Sequence, residues 1–265
     1  MNLHHFKGDA AASLTERLPL VPAAPQLSPP HLPEAIIFNV EGTLVDSVLP
    51  TLCAWQDALA DHGFCFTTSE LHRCSGLGAE EMLTALLPAP VHGTVREPIA
   101  RRQQELYRAK YLDRVAPFDG VADALHDLKA AGVKIALATS CDRKLLDRYL
   151  CLMKCPASAL DAIVCARDAA RTRPAPARLE AALRRLAMPA SANVWAVGAT
   201  PADAQAAMRA GLTPAGVLTG YFARETLHAA GCHDVCETAV MLMQALTAAT
   251  MPRDAGRAAL PDAAG

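Results

Sequence analysis

The feature that most constrains the fold is a regular alternation of short apolar runs with segments of helical pattern. Each run is shorter than a typical helix and ends in glycine or polar residues, which is typical of buried parallel strands. The runs cover residues 35–40, 133–140, 161–166, 194–199 and 214–220, and we expect the last of these to be the final strand. The alternation predicts an α/β fold of Rossmann-like type, with a doubly wound parallel sheet and helices on both faces.

The segments between the runs space their apolar residues at helical intervals. They cover residues 120–132, 143–150, 177–187 and 202–211. Gly132 and Gly211 end two of them, as glycine commonly does at the C-terminus of a helix. Ligands of doubly wound sheets bind at the carboxyl ends of the strands. We therefore expect the functional residues at positions 39–43, 139–140, 172–174 and 198–203.

The region 50–115 differs from the rest, because it has helical patterns and no clear strand. We interpret it as a helical cap inserted after the first strand of a core that comprises residues 34–49 and 116–248. Residues 1–33 contain six prolines and little periodic pattern, which predicts a flexible leader. Residues 249–265 are predicted to form a flexible tail.

Composition excludes several classes of function. The net charge of −2 and the absence of basic runs interleaved with aromatic residues argue against nucleic-acid binding. No apolar stretch is long enough to cross a membrane. The nine cysteines are scattered and odd in number, which favours reduced thiols and a cytoplasmic location.

Four loops at the predicted strand ends carry distinctive residues. They are GTLVDS at 42–47, Thr139-Ser140, Arg173-Pro174-Ala175-Pro176 and Gly198-Ala199-Thr200-Pro201-Ala202-Asp203. In this order, and with a helical cap, they resemble the haloacid dehalogenase-like hydrolase superfamily. Within it, phosphoglycolate phosphatase-like and β-phosphoglucomutase-like members are the most similar. The resemblance covers residues 34–248 and implies Mg²⁺-dependent hydrolysis of a small phosphorylated metabolite.

The first motif of that family, D-x-D-G-T-L-x-D-S, departs from the family pattern here. The nucleophile position is Asn39, whose neutral amide is a far weaker nucleophile than a carboxylate. The position of the general acid and base is Glu41, whose carboxyl lies one methylene further out than that of aspartate. The resemblance also assigns phosphate binding to the backbone amide of Gly42, and metal binding to the main-chain carbonyl of Glu41.

The other motifs retain the anion-binding residues better than the metal ligands. The resemblance assigns phosphate binding to Thr139, to the adjacent Ser140, and to Arg173 in place of the usual lysine. It assigns metal binding to Asp203, whereas Ala199 replaces an acidic residue and offers no ligand. Because Mg²⁺ requires near-octahedral oxygen ligation, we expect its binding to be weak or absent.

Simpler roles exist for several of these residues. Thr43 and Ser47 could cap the following helix, and Asp203 could be an acidic residue in the first turn of a helix. Cys141 could be a reactive or an inert thiol.

The segment 75–83 resembles the specificity loop of the cap through Gly76 and Gly78, although both glycines could be plain turn residues.

Three hypotheses follow. The first is a phosphatase homologue that keeps the fold and phosphate pocket but has lost most or all activity. The second is a working hydrolase in which Glu41, Asp203 and a water molecule replace the usual mechanism. The third is a non-catalytic protein that senses a phosphorylated metabolite or another small anion, or that docks a regulatory partner through its cap and Pro-rich leader.

Overall fold

Six parallel strands form the central sheet of the computed structural model, which describes residues 32–88, 92–169 and 174–248. The strands of the chain are β1 (Ala35–Phe38), β2 (Val45–Asp46), β3 (Ala116–Pro117), β4 (Lys134–Ala138), β5 (Ala162–Val164), β6 (Val194–Gly198), β7 (Thr213–Val217) and β8 (Asp234–Cys236). The order in the main sheet is β5-β4-β1-β6-β7-β8. This confirms the predicted doubly wound α/β fold. The tail and nearly all of the leader lie outside the described residues.

The expectation that residues 214–220 form the last strand is wrong. β7 ends at Val217, and the further strand β8 pairs with it in parallel. β8 has only three residues and begins with a carboxylate, Asp234, which is 3% exposed. Such a segment has no apolar run by which it could be recognised.

Ten α-helices are assigned in the described residues. They are α1 (Val48–Asp61), α2 (Thr68–Arg73), α3 (Ala79–Leu86), α4 (His92–Leu106), α5 (Val121–Ala130), α6 (Arg143–Leu152), α7 (Ala177–Leu186), α8 (Pro201–Arg209), α9 (Arg224–Ala229) and α10 (Ala239–Ala248). Gly132 and Gly211 follow α5 and α8 with φ of +89° and +72°, a left-handed conformation that glycine adopts without strain. The predicted helix ends are therefore confirmed.

Side-chain alternation along β1 divides the core into two layers. Ile36 and Phe38 face one layer, whereas Ala35 and Ile37 face the other. The first layer contains apolar residues of α1, α5, α6 and α10, and the second contains those of α7 and α8. Both faces of β1 are thus buried, and the end of β1 lies at the centre of the sheet edge.

The helices α1 to α4 leave the core after β2 and return at β3. Val45 of β2 pairs with Pro117 of β3 in a small antiparallel sheet, which brings the two ends of the helical segment together. α4 continues into a π-helical turn, Tyr107–Tyr111, and π-helical turns often occur at functional sites. Among the described residues, no helix combines the length and the apolar character needed to cross a membrane.

Candidate active site

A cavity of about 630 Å³ lies between the carboxyl end of the sheet and the helical segment. The core contributes polar groups and small residues to its wall, among them Asn39, Glu41, Gly42, Ser140, Cys141, Ala199 and Thr200. The helical segment contributes Trp55, Gly76, Gly78, Met82, Gln103 and Tyr107. The structure therefore brings loops that follow β1, β4 and β6 to one cavity.

Asn39 lies directly after β1 and is 7% exposed. Its backbone N–H donates to the carbonyl of Val197 at 2.8 Å, which continues the pairing of β1 with β6. Its side-chain Nδ2 donates to the carbonyl of Glu41 at 2.9 Å, and its buried Oδ1 has no hydrogen-bond partner. The amide thus presents a donor to the carbonyl that the sequence resemblance assigns to a metal.

Glu41 and Thr139 are in direct contact. The Thr139 hydroxyl donates to Oε2 of Glu41 at 2.6 Å, and accepts from the backbone N–H of Cys141 at 3.1 Å. Thr139 is completely buried. The hydroxyl that the resemblance assigns to a phosphoryl oxygen is therefore bound to the carboxylate at the acid–base position.

Asp203 stabilises the N-terminus of α8. Its Oδ2 accepts hydrogen bonds from the backbone N–H of Ala199 at 3.2 Å and of Thr200 at 3.1 Å, and from the Thr200 hydroxyl at 2.8 Å. The Thr200 hydroxyl in turn accepts from the backbone N–H of Asp203, which completes a capping box. The simpler role considered for Asp203, an acidic residue at a helix N-terminus, is present in the structure.

Two glycines hold loops close to this site. Gly42 has φ +70° and its carbonyl accepts a 2.6 Å hydrogen bond from the buried Thr219 hydroxyl. Gly76 has φ +90°, and a Cβ there would lie 2.2 Å from the Thr200 hydroxyl oxygen. The loop of Gly76 therefore packs on Thr200, the N-cap residue of α8, whereas Gly78 is the N-cap of α3.

Several of the simpler roles receive an answer. Ser47 is the N-cap residue of α1 but makes no side-chain cap bond, and the hydroxyls of Thr43 and Ser47 are buried without a partner. Neither hydroxyl caps the helix, so the expectation that they do is wrong. Burial raises the pKa of Cys141, which favours an inert thiol. Arg173 lies outside the described residues.

Comparison with known proteins agrees with this geometry. The family model described as haloacid dehalogenase-like hydrolase matches residues 36–217, more than half of the chain. The chain belongs to this family. The predicted family is thereby confirmed.

Individual relatives indicate which type of hydrolase the chain is most similar to. The probable phosphatase IndB of Dickeya dadantii is 30% identical over 209 residues, covering 77% of this chain and 89% of that protein. The phosphoglycolate phosphatase of Pseudomonas syringae pv. tomato is 29% identical over 201 residues, covering 74% of this chain and 73% of that protein. The crystal structure of CbbY from Rhodobacter sphaeroides in complex with phosphate has a TM-score of 0.64 at 25% identity, covering 78% of this chain and 94% of that chain. The chain is thus a phosphatase-type member of the haloacid dehalogenase-like hydrolases.

The four motifs do not predict one buried cationic side chain at the site. Arg178, in the first turn of α7, is 6% exposed. It lines the large cavity, and it lines a small cavity of about 30 Å³ together with Asn39 and Asp203. Helical spacing could have identified it, because Arg178 shares the buried face of α7 with Ala181 and Ala182.

The motifs also give no indication of the contacts that join the helical segment to the hydrolase core. The hydroxyls of Tyr107 and Tyr149 lie 2.5 Å apart, and burial raises the pKa of both phenols. Arg108 forms an ion pair with Asp142 at the start of α6.

A second contact lies at the opposite side of the cavity. The Nε2–H of His72 donates to the carbonyl of Gly220 at 2.7 Å, and its ring stacks on Phe222. Polar contacts on two sides therefore close the helical segment over the strand ends.

Phosphatases of this family typically use Mg²⁺, but the residues here do not fit that ion. The carbonyl of Glu41 faces the N–H donor of Asn39, and Ala199 contributes only a methyl group. Oδ2 of Asp203 already accepts three hydrogen bonds, and the positive guanidinium of Arg178 repels a divalent cation. Among the described residues, no group of three or more His, Cys, Asp or Glu side chains is placed to hold a metal.

Proposed function

We propose that this protein binds a small phosphorylated metabolite or another small anion in the large cavity and does not hydrolyse it at ordinary enzyme rates. The observation that carries the proposal is Asn39. Its amide occupies the position directly after β1, where covalent phosphatases of the family need a carboxylate. An ionised oxygen must attack phosphorus and then carry the phosphoryl group, and an amide oxygen is a poor substitute.

The contact between Glu41 and Thr139 supports the loss of turnover. A general acid must reach the leaving oxygen of the ester at hydrogen-bond distance. Here the carboxylate of Glu41 is held at 2.6 Å by the hydroxyl of Thr139. The hydroxyl of Thr139 must leave this contact before it can donate to a phosphoryl oxygen, the role implied by the family motif.

The shape and charge of the cavity support binding of a small anion. A volume of about 630 Å³ lies within the usual range for small-molecule sites. Arg108, Arg167 and Arg178 contribute positive charge to its wall, against the carboxylates of Glu41 and Asp142. One relative is named for hydrolysis of phosphoglycolate and one neighbour was crystallised with phosphate, which makes a phosphorylated small molecule the ligand class of choice.

A working hydrolase that uses direct attack by water has less support. It needs Glu41 or Asp203 as a base with a free oxygen facing the cavity. The described contacts engage Oε2 of Glu41 with Thr139, and they engage Oδ2 of Asp203 with the N-terminus of α8.

The test combines turnover with binding on the full chain. We expect no release of p-nitrophenol from p-nitrophenyl phosphate above background, with or without Mg²⁺. We also expect millimolar inorganic phosphate or 2-phosphoglycolate to raise the melting temperature, because a ligand that binds only the folded state stabilises it. Turnover of about 1–1000 per second would show an active enzyme. If neither anion raises the melting temperature, the proposed binding function is wrong.

A further inference from the structure

We propose that Arg178 is the permanent cation of this site and holds the phosphate group of the ligand without a bound metal ion. The inference rests on the proposed function, because it assumes that an anion enters the large cavity. It assigns a role to a residue outside the four motifs, in a helix that those motifs do not include.

The burial of Arg178 requires an explanation. Arg178 is only 6% exposed, and a guanidinium remains charged at all ordinary pH values. Removing such a charge from water is costly unless anionic or polar groups surround it. Arg178 is nevertheless placed on the wall of the large cavity with Asn39 and Glu41, and on the wall of the small cavity with Asn39 and Asp203.

Helix stability does not explain the residue either. Arg178 is the second residue of α7, where the positive end of the helix dipole disfavours a cation. Arg184 and Arg185 lie in the last turn of the same helix, where the dipole favours them. The helix field therefore gives no reason for a cation at this position, whereas a role in the adjoining cavities does.

The charge of the surrounding loops is consistent with a guanidinium that stays permanently in the site. Asn39 and Ala199 stand where the family motifs carry aspartates, so this end of the sheet has lost two negative charges relative to that pattern. Of the three aspartates that the family pattern places at positions 39, 199 and 203, only Asp203 remains, and one guanidinium is enough to balance its charge. The planar guanidinium has five N–H donors, so it can keep a contact within the protein and still bind phosphate through two of them.

An independent observation also points to a ligand at this place. Oδ1 of Asn39 is buried and has no hydrogen-bond partner, although Asn39 lines both cavities. An unsatisfied buried acceptor costs about 1–3 kcal/mol. A hydroxyl of the ligand, or the protonated oxygen of a phosphate monoanion, would satisfy it beside Arg178.

The test is titration calorimetry of inorganic phosphate with the full chain, once in EDTA and once in Mg²⁺. We expect equal affinity in both. Arg178→Met keeps much of the side-chain volume and removes the charge, so we expect phosphate affinity to fall at least about tenfold. Arg178→Lys should give an intermediate affinity, because it keeps the charge without the fork. Arg184→Met, on the exposed face of the same helix, is the matched control and should bind as the native chain does.

The outcomes separate this inference from the proposed function. Phosphate binding that requires Mg²⁺ would overturn the inference and leave the binding function intact. If the native chain binds phosphate neither in EDTA nor in Mg²⁺, the proposed function itself is wrong. Equal affinity of Arg178→Met and the native chain would overturn the role of Arg178. Circular dichroism checks that each variant is folded. If Arg178→Met is unfolded, Arg178→Lys decides: an intermediate affinity in EDTA supports the role of Arg178, and an affinity equal to that of the native chain contradicts binding through the guanidinium fork. Complete loss of binding in folded Arg184→Met would contradict a specific role for Arg178.

Discussion

The hydroxyl of Thr139 donates a 2.6 Å hydrogen bond to the carboxylate of Glu41. This contact joins the loop after β1 to the loop after β4, and it engages two groups that the family motifs assign to different tasks. The carboxylate also places negative charge in the wall of a cavity proposed to bind an anion.

Glu41→Gln should strengthen phosphate binding. The change keeps the length of the side chain and an acceptor for Thr139 but removes the negative charge. Loss of a repulsion of about 1 kcal/mol lowers the Kd for inorganic phosphate roughly fivefold, measured by calorimetry in EDTA. Glu97→Gln, at an exposed position of α4, is the control. Weaker binding in Glu41→Gln would mean that the carboxylate itself contacts the ligand.

Restoring the aspartates of the family pattern should not by itself restore a magnesium site. In Asn39→Asp plus Ala199→Asp, the guanidinium of Arg178 remains beside positions 39 and 203. We expect the affinity for Mg²⁺, measured by calorimetry, to rise at least about tenfold further when Arg178→Met is added, because the repulsion between the two cations is then removed. Equal Mg²⁺ affinity of the double and triple variants would show that Arg178 does not interfere.

The hydroxyls of Tyr107 and Tyr149 should be energetically coupled. Tyr107→Phe leaves the buried hydroxyl of Tyr149 without this partner and should lower the free energy of unfolding by about 1–3 kcal/mol. The double change Tyr107→Phe plus Tyr149→Phe should cost less than the sum of the single changes, because it removes both polar groups together. Urea unfolding of the four proteins measures this coupling. Strict additivity would show that the hydroxyls do not interact.

Cys141 should react more slowly than the exposed thiols of the chain, although it lines the cavity. Burial raises its pKa, so the reactive thiolate remains scarce while an ordinary thiol ionises near pH ~8.5. At mildly alkaline pH, iodoacetamide should modify the exposed Cys65 and Cys151 and leave Cys141 unmodified. Peptide mass spectrometry gives the extent at each residue. Modification of Cys141 before Cys65 would support the reactive-thiol alternative.

The sheet was predictable because strands buried on both faces need continuous apolar runs, as Ala35–Phe38 and Val194–Gly198 show. β8 could not be predicted in this way, since its three residues include the charged Asp234. The two-residue pairing of Val45–Asp46 with Ala116–Pro117 is too short to show any period.

The site was predictable only as a set of loops. Motif order identified Asn39, Glu41 and Thr139, but the contact between Glu41 and Thr139 depends on side-chain length and rotamer in three dimensions. The motif also points to Arg173, whereas the buried cation of the described structure is Arg178. Its inward orientation follows from helical spacing, which is informative only once α7 is known to pack on the sheet.

The most direct test of the account is ³¹P NMR of p-nitrophenyl phosphate mixed with the full chain in the presence of Mg²⁺. A protein that binds the ester without hydrolysing it broadens or shifts the ester resonance, and the inorganic phosphate resonance does not grow. Growth of inorganic phosphate at about 1–1000 turnovers per second would contradict the loss of catalysis inferred from Asn39. An ester resonance that does not change even at excess protein would contradict the anion-binding cavity.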